Sequence, residues 1–278
     1  KIPKNARMLK KGKWEGKKVD FIEINNNLYQ ADLFMSFLGW YYSEGSTSIV
    51  NRPGNKYQIS IAQNNICKKE KIEKICKSLF KKVWIGKDKI YVIEDSLAEY
   101  LYKFGKSWEK YIDNEIKNLS SSLINKFLES YLMGDGHVIK TNAGEYTSKP
   151  IRSFFTSSEK LAMDLCELIV KVGNCPSMSI PSSEDYKEIK FKNEKYKIKH
   201  PVYRIFETKS NYYIYKEKHK RLESYTGYVF CVELEKYHIL NTMREGKVIW
   251  NGNCRCTAIP YVDEIIKTVD KEIEQGAA

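Results

Sequence analysis

The chain has 278 residues, 42% of them apolar, with 47 Lys and Arg set against 35 Asp and Glu for a formal charge of +12. That apolar content can bury a sizeable core, which excludes a disordered chain, and the length fits one large domain or two smaller ones. The positive excess points to an anionic partner, nucleic acid first, and no run approaches the roughly 20 apolar residues of a membrane span.

Residues 1–19 are basic, with Gly and Pro and little periodicity, and read as a connecting segment. The chain opens without Met, as a fragment would. From Leu28 the pattern is helical through Trp40 and Tyr42 and stops at Ser43-Glu44-Gly45-Ser46. Strand-like runs follow near 47–50 and 56–62. Ile72, Ile75, Leu79 and Phe80 sit at helical spacing and predict a helix over 68–81. Strands fit 82–86 and 89–93, and a helix fits 95–104. A second helical ramp, "SSSLINKFLESYLMGDG", has Ser120, Ser121 and Ser122 as candidate caps.

The order then recurs. Strands at 137–142 and 150–156 precede a helix in "SSEKLAMDLCELIVKVG", capped by serine and stopped by Gly173; strands at 177–180, 187–192 and 202–207 follow. A duplicated plan changes the expected fold, because each repeat is one structural unit. Many of the 20 tyrosines alternate with lysines, as in "NEKYKIKHPVYRIF" and "NYYIYKEKHKR", the period of a strand with one apolar and one cationic face. Seven cysteines form no paired framework and no signal peptide is present, which suggests a reducing, cytoplasmic setting. Cys254-x-Cys256 lacks a second Cys or His pair at zinc-finger spacing.

The ramps align as "FLGWYYSEG" and "LESYLMGDG", so Glu44 matches Asp135 and each is followed by glycine. Gly39 and Ser43 are four apart, as are Ser130 and Gly134, so each pair lies on one helix face. Small residues on facing helices let the backbones approach closely. Packed that way, the C-terminal ends would meet and bring Glu44 and Asp135 together. Two carboxylates held close repel unless a cation sits between them. Oxygen ligands with water suit Mg²⁺, and paired acids sharing divalent ions serve in-line phosphodiester hydrolysis.

These segments resemble the paired motifs of LAGLIDADG (dodecapeptide, DOD-type) homing endonucleases. The resemblance runs over residues 1 to 225 and takes in "IPKNARMLKKGKWEGKKVDFIEI", "SWEKYI" and "FFTSSEKLAMDLCELIVKVG". It implies an α+β fold of two αββαββα halves, here 20–118 and 119–224, with the motif helices at the centre and two sheets straddling double-stranded DNA. It also implies Mg²⁺-dependent cleavage by a monomer, with Glu44 and Asp135 as metal-binding catalytic acids. The family's Lys-x-Ile-Pro segment is matched by "KYID", with Asp113 for Pro, and makes Lys110 the candidate for orienting water or stabilising the transition state. For the second half, Lys209, Lys216 and Lys218 stay open. A non-cleaving DNA-binding protein of the same fold is the alternative.

After Tyr225, "YVFCVEL" and "KVIW" alternate as two strands with "REG" as a turn. Residues 225–253 resemble the C-terminal Hint segment of an intein, a self-splicing insert. That likeness makes Asn253 its last residue and Cys254 the first of the following host sequence, 254–278. Asn253 would cyclise, His238 would act as general acid or base, and the Cys254 thiol would accept an acyl group. Gly252 replaces the usual penultimate His. Splicing requires a missing N-terminal half as partner. Cys231 reads either as a buried strand cysteine or as an initiating thiol. "NCRCTAIP" looks like the closing motif of phage Mu F-like minor head proteins, which would put the chain in a bacterial or phage-infected cytoplasm; a degenerate intein remnant in such a protein is a further alternative.

Overall fold

The structure, a computed structural model, describes residues 14, 16–52, 55–139, 151–179, 188–191, 194–197, 200–208, 224, 226–228, 239–244 and 247–252. The first half opens with a hairpin, β1 (Phe21–Ile24) and β2 (Asn27–Gln30), that leads into helix α1 (Ala31–Glu44). Strands β3 (Gly45–Arg52) and β4 (Asn55–Ala62), helix α2 (Ile66–Leu79), strands β5 (Val83–Ile85) and β6 (Lys89–Val92) and helix α3 (Asp95–Tyr102) complete it. A short helix, α4 (Asn114–Lys117), bridges to the second half.

There, helix α5 (Ser121–Asp135) is followed by β7 (Gly136–Ile139), β8 (Ile151–Thr156), α6 (Glu159–Lys171), β9 (Cys175–Ser179), a small hairpin β10 (Glu188–Phe191) and β11 (Glu194–Lys197), and β12 (Tyr203–Thr208). The sheet orders show the duplication. One sheet runs β3-β4-β6-β5; the other contains β7-β8-β12-β9 in the equivalent places. The chain is an α+β protein with two αββα-like units.

The helix expected from Leu28 starts at Ala31 instead. Asn25 and Asn26 both lie in the left-handed region, with φ of 47° and 65°. That geometry closes a two-residue turn between strands and folds Asn27–Gln30 back on Phe21–Ile24. Asn26→Ala is therefore expected to cost about 1 kcal/mol in urea denaturation, while Asn26→Gly is not; an unchanged alanine variant would argue against the turn.

α1 has no side-chain N-cap, so packing rather than capping holds it. Phe34, Met35, Phe37, Leu38, Trp40 and Tyr41 are all buried. A helix apolar on every side belongs at the centre of a protein. By contrast, Asn65 caps α2 by accepting from the Lys68 N–H, Ser158 caps α6 by accepting from the Leu161 N–H, and Gly173, just past α6, takes φ +84°.

The lead-in is stitched to the second half. Trp14 N–H donates to Lys171 O, Trp14 Nε1 to Leu119 O, and Lys17 exchanges backbone hydrogen bonds with Asn118 and Ser120. Beneath it, Lys117 pairs with Asp164 and Glu167, and Lys171 with Glu167.

At the far end, β13 (Ile239–Arg244) pairs with β14 (Lys247–Gly252), and β14 adds to the free edge of β9. The strand partner of "KVIW" is thus Ile239–Arg244. The expected strand "YVFCVEL" lies outside the described residues beyond Tyr228, as do "NYYIYKEKHKR", Cys231 and the phage-like motif.

Candidate active site

α1 and α5 lie against each other through their small residues. A Cβ added at Gly39 would overlap the Phe127 carbonyl oxygen and come within 2.7 Å of Ser130 Cβ and 2.9 Å of Tyr131 N. One added at Gly134 would overlap Ser43 Oγ and sit 2.6 Å from Ser43 Cβ. The two small pairs therefore interlock, Gly39 on Ser130 and Ser43 on Gly134. Ser43 Oγ itself is turned back to its own helix, donating to Gly39 O at 3.0 Å.

The interlock sets the acids. Glu44 Cγ lies beside the Gly134 backbone, 3.1 Å from where a Cβ would stand, and Asp135 is the next residue. Burial and the Glu44 charge raise the Asp135 carboxyl from 3.8 to about 6. Glu44 is also raised, chiefly by burial. Both shifts mark carboxylates that lose water without gaining full compensation.

The sheets complete the site. Because β3 begins at Gly45 and Gly45 pairs with Ile61 of β4, the chain leaving β4 returns to the acid. Gln63 follows, and its Nε2 donates to Glu44 Oε1 at 3.3 Å while its Oε1 accepts from Asn65 N–H at 2.9 Å. Lys68, in the first turn of α2, acts electrostatically on both acids. Neither Gln63 nor Lys68 was picked out from the sequence. The signal was available in the hairpin register, which returns the end of β4 to the start of β3.

Lys110 is near the same place but faces the protein. It is only 3% exposed. Its Nζ donates to Tyr41 O, Tyr42 O and Gly45 O at 2.8, 3.1 and 2.8 Å. These are carbonyls at the end of α1, where a helix leaves acceptors unsatisfied and its dipole favours a cation. Burial lowers the ammonium to about 8, with Asp135 and Glu44 acting the other way. Asp113, in the place of the family's proline, caps α4 by accepting from Glu115 N–H and pairs with Lys103.

Two hard-oxygen donors in a semi-buried pair would suit Mg²⁺, which takes oxygen ligands and keeps several waters. Among the described residues no third Asp, Glu, His or Cys joins them. The sheet faces turned away from the helices carry aromatic and polar groups: Trp84 and Tyr91 in one half, and in the other Arg204, whose guanidinium lies 5.4 Å from the Phe155 ring and 4.4 Å from that of Phe206. His238, Asn253, Cys254, Lys209, Lys216 and Lys218 lie outside the described residues. Among the described residues no helix is long and apolar enough to cross a membrane.

No family model matches the sequence, and no curated protein does. Among solved structures, the chain is similar to the homing endonuclease I-DmoI in complex with DNA and Mn, at 12% identity over 64% of this chain and 90% of that one, with a TM-score of 0.42. It is also similar to the homing endonuclease I-WcaI bound to its DNA recognition sequence (13% identity, 65% and 77%, 0.39) and to full-length DUF199/WhiA from Thermatoga maritima (10%, 65% and 51%, 0.36).

Proposed function

We propose that the chain is a site-specific DNA endonuclease of the LAGLIDADG type that hydrolyses phosphodiesters with Mg²⁺, carried within an intein. The observation that supports it most is the interlocked pair of small-residue faces that ends in two converging, partly buried carboxylates. A protein that only bound DNA would gain nothing from this pair, since it costs folding free energy.

Glu44 and Asp135, one from each half, would hold a divalent cation through their carboxylate oxygens. Gln63 fixes the rotamer of Glu44, whose side chain is longer than the aspartate more frequent at this place. When bound, the cation lowers the pKa of water and polarises the phosphate oxygens. Water loses a proton to solvent and its oxygen bonds to phosphorus as the P–O ester bond on the opposite side breaks, the leaving oxygen taking a proton from solvent. The sheet faces would hold the duplex by contacts to its phosphates and base edges.

A duplex library with randomised positions, incubated with the full chain and Mg²⁺, tests this reading: cleaved duplexes should share one sequence. Cutting that survives Asp135→Asn combined with Glu44→Gln would remove the active-site assignment. Binding to DNA with no cleavage under any divalent cation would instead favour the non-cleaving reading.

The intein part rests on the sequence likeness of 225–254. The Asn253 side-chain nitrogen attacks its own backbone carbonyl; the Asn253–Cys254 bond breaks, leaving a succinimide and a free amine on Cys254, with His238 moving the proton. Mass spectrometry of the purified chain should show slow release of the peptide that begins at Cys254, and Asn253→Ala should stop it. Release at the same bond from the alanine variant would contradict the assignment, and a degenerate remnant would release nothing.

A further inference from the structure

All three N–H bonds of the Lys110 ammonium end on the carbonyls of Tyr41, Tyr42 and Gly45. A lysine has three donors and no more, so Lys110 has none left for a substrate. Phosphodiester hydrolysis nonetheless builds negative charge that a fixed cation stabilises.

Three observations put the first turn of α2 at the acid pair. Gln63, two residues before the Asn65 cap, donates to Glu44. Lys71 Nζ lies 3.9 Å from Met133 Sδ, two residues before Asp135 on the opposite helix. Lys68 falls between these contacts, three residues before Lys71 and so on the same face of α2. It is half-buried, and its charge acts on Glu44 and Asp135 alike. Among the described residues its ammonium has no hydrogen-bond or ion-pair partner.

The second half shows that this charge is not demanded by the fold. Asn65 accepts from Lys68 N–H and Ser158 accepts from Leu161 N–H, so Lys68 and Leu161 hold the same position relative to their helix caps. In place of Lys68 the second half has Leu161, which is 1% exposed. One frame holds a core leucine and the other a lysine with an uncommitted ammonium.

We propose that Lys68, and not Lys110, is the lysine that meets the scissile phosphate. The proposal rests on the nuclease reading. Lys110 is then a positioning residue that holds the end of α1 and, through it, Glu44. The site is asymmetric, with a cation supplied by the first half at the point where the second half is apolar.

The test compares Lys68→Met, Lys68→Arg and Lys110→Met with the unaltered full chain, using the duplex recovered from the randomised library. Single-turnover cleavage in Mg²⁺ should fall by about 10²-fold in Lys68→Met and largely return in Lys68→Arg. In Ca²⁺, the slope of log affinity against log salt should shrink by about one phosphate contact in Lys68→Met. Loss of the Lys68 charge leaves the two acids less compensated, so the melting temperature of Lys68→Met should fall slightly and return in Lys68→Arg, whereas that of Lys110→Met should fall further. Cleavage and salt slope both at the unaltered level in Lys68→Met would overturn the proposal, as would a loss of cleavage matched by a fall in melting temperature that Lys68→Arg does not restore. If the unaltered chain cuts no duplex, the nuclease reading itself fails and Lys68 falls with it, an outcome distinct from a cutting enzyme indifferent to Lys68.

Discussion

Asp135→Asn should abolish cleavage and, in the same protein, raise the melting temperature of the metal-free form at pH 8. The folded Asp135 carboxyl is raised to about 6 from 3.8. Between those values the folded chain keeps a proton that the unfolded chain has released. Stability from this group is therefore greatest at low pH and is lost as pH rises toward 6. The loss amounts to at most about 3 kcal/mol. Asparagine carries no charge to desolvate and none for Glu44 to repel. A gain of about 5 °C is expected for a chain of this size at pH 8, shrinking toward zero at pH 4. A divalent cation should stabilise the unaltered protein and not the asparagine variant. An asparagine variant that melts at or below the unaltered protein at pH 8 would mean that the acids are not in conflict, and the reason for a cation between them would disappear.

The second large effect is at the helix interface. Gly39→Ala places a methyl on the Phe127 carbonyl oxygen and close to Tyr131 N, both backbone atoms of α5. Backbone cannot move aside as a side chain can, so the helices must separate. Overpacking of this kind costs about 1–3 kcal/mol, and the separation should also carry Glu44 away from Asp135 and suppress cleavage. Gly134→Ala meets a different obstacle, the side chain of Ser43. Ser43→Gly removes that obstacle, so the double variant should recover most of the stability lost in Gly134→Ala. The coupling expected from a double-mutant cycle in urea is about 1–2 kcal/mol. Ser130→Gly should not rescue Gly39→Ala to the same degree, because the Phe127 carbonyl remains. Equal rescue at both positions, or none at either, would mean that the contacts are not the ones described.

The central helices were legible because their signals are local. Small residues four apart, a run of apolar neighbours and an acid before glycine all lie within one ramp, and the second ramp repeats them. The β1–β2 hairpin was not, since "NNLYQADLF" reads as the approach to a helix unless Asn25 and Asn26 are given left-handed backbone. Gln63 and Lys68 reach the site only through strand pairing. Their distance from Glu44 is set by the Gly45–Ile61 register, which no helical period reveals. Lys110 was recognisable as a residue near the acids by its likeness to a family pattern. That it spends its donors on carbonyls follows from the way the segment before α4 tucks beneath α1, a tertiary fact. The placement of β13 and β14 at the β9 edge of the second sheet is likewise a matter of strand pairing that no local pattern reveals.

The central claim is that Glu44 and Asp135 form one coupled pair poised for a cation. Carbon-13 labelling of aspartate, with Asp135→Asn to assign the signal, lets the Asp135 carboxyl be titrated directly. In the metal-free protein it should titrate with an apparent midpoint near 6, move down in Glu44→Gln, and move down in the unaltered chain when Mg²⁺ is added. A midpoint in the ordinary aspartate range, indifferent to both Glu44→Gln and Mg²⁺, would contradict the account.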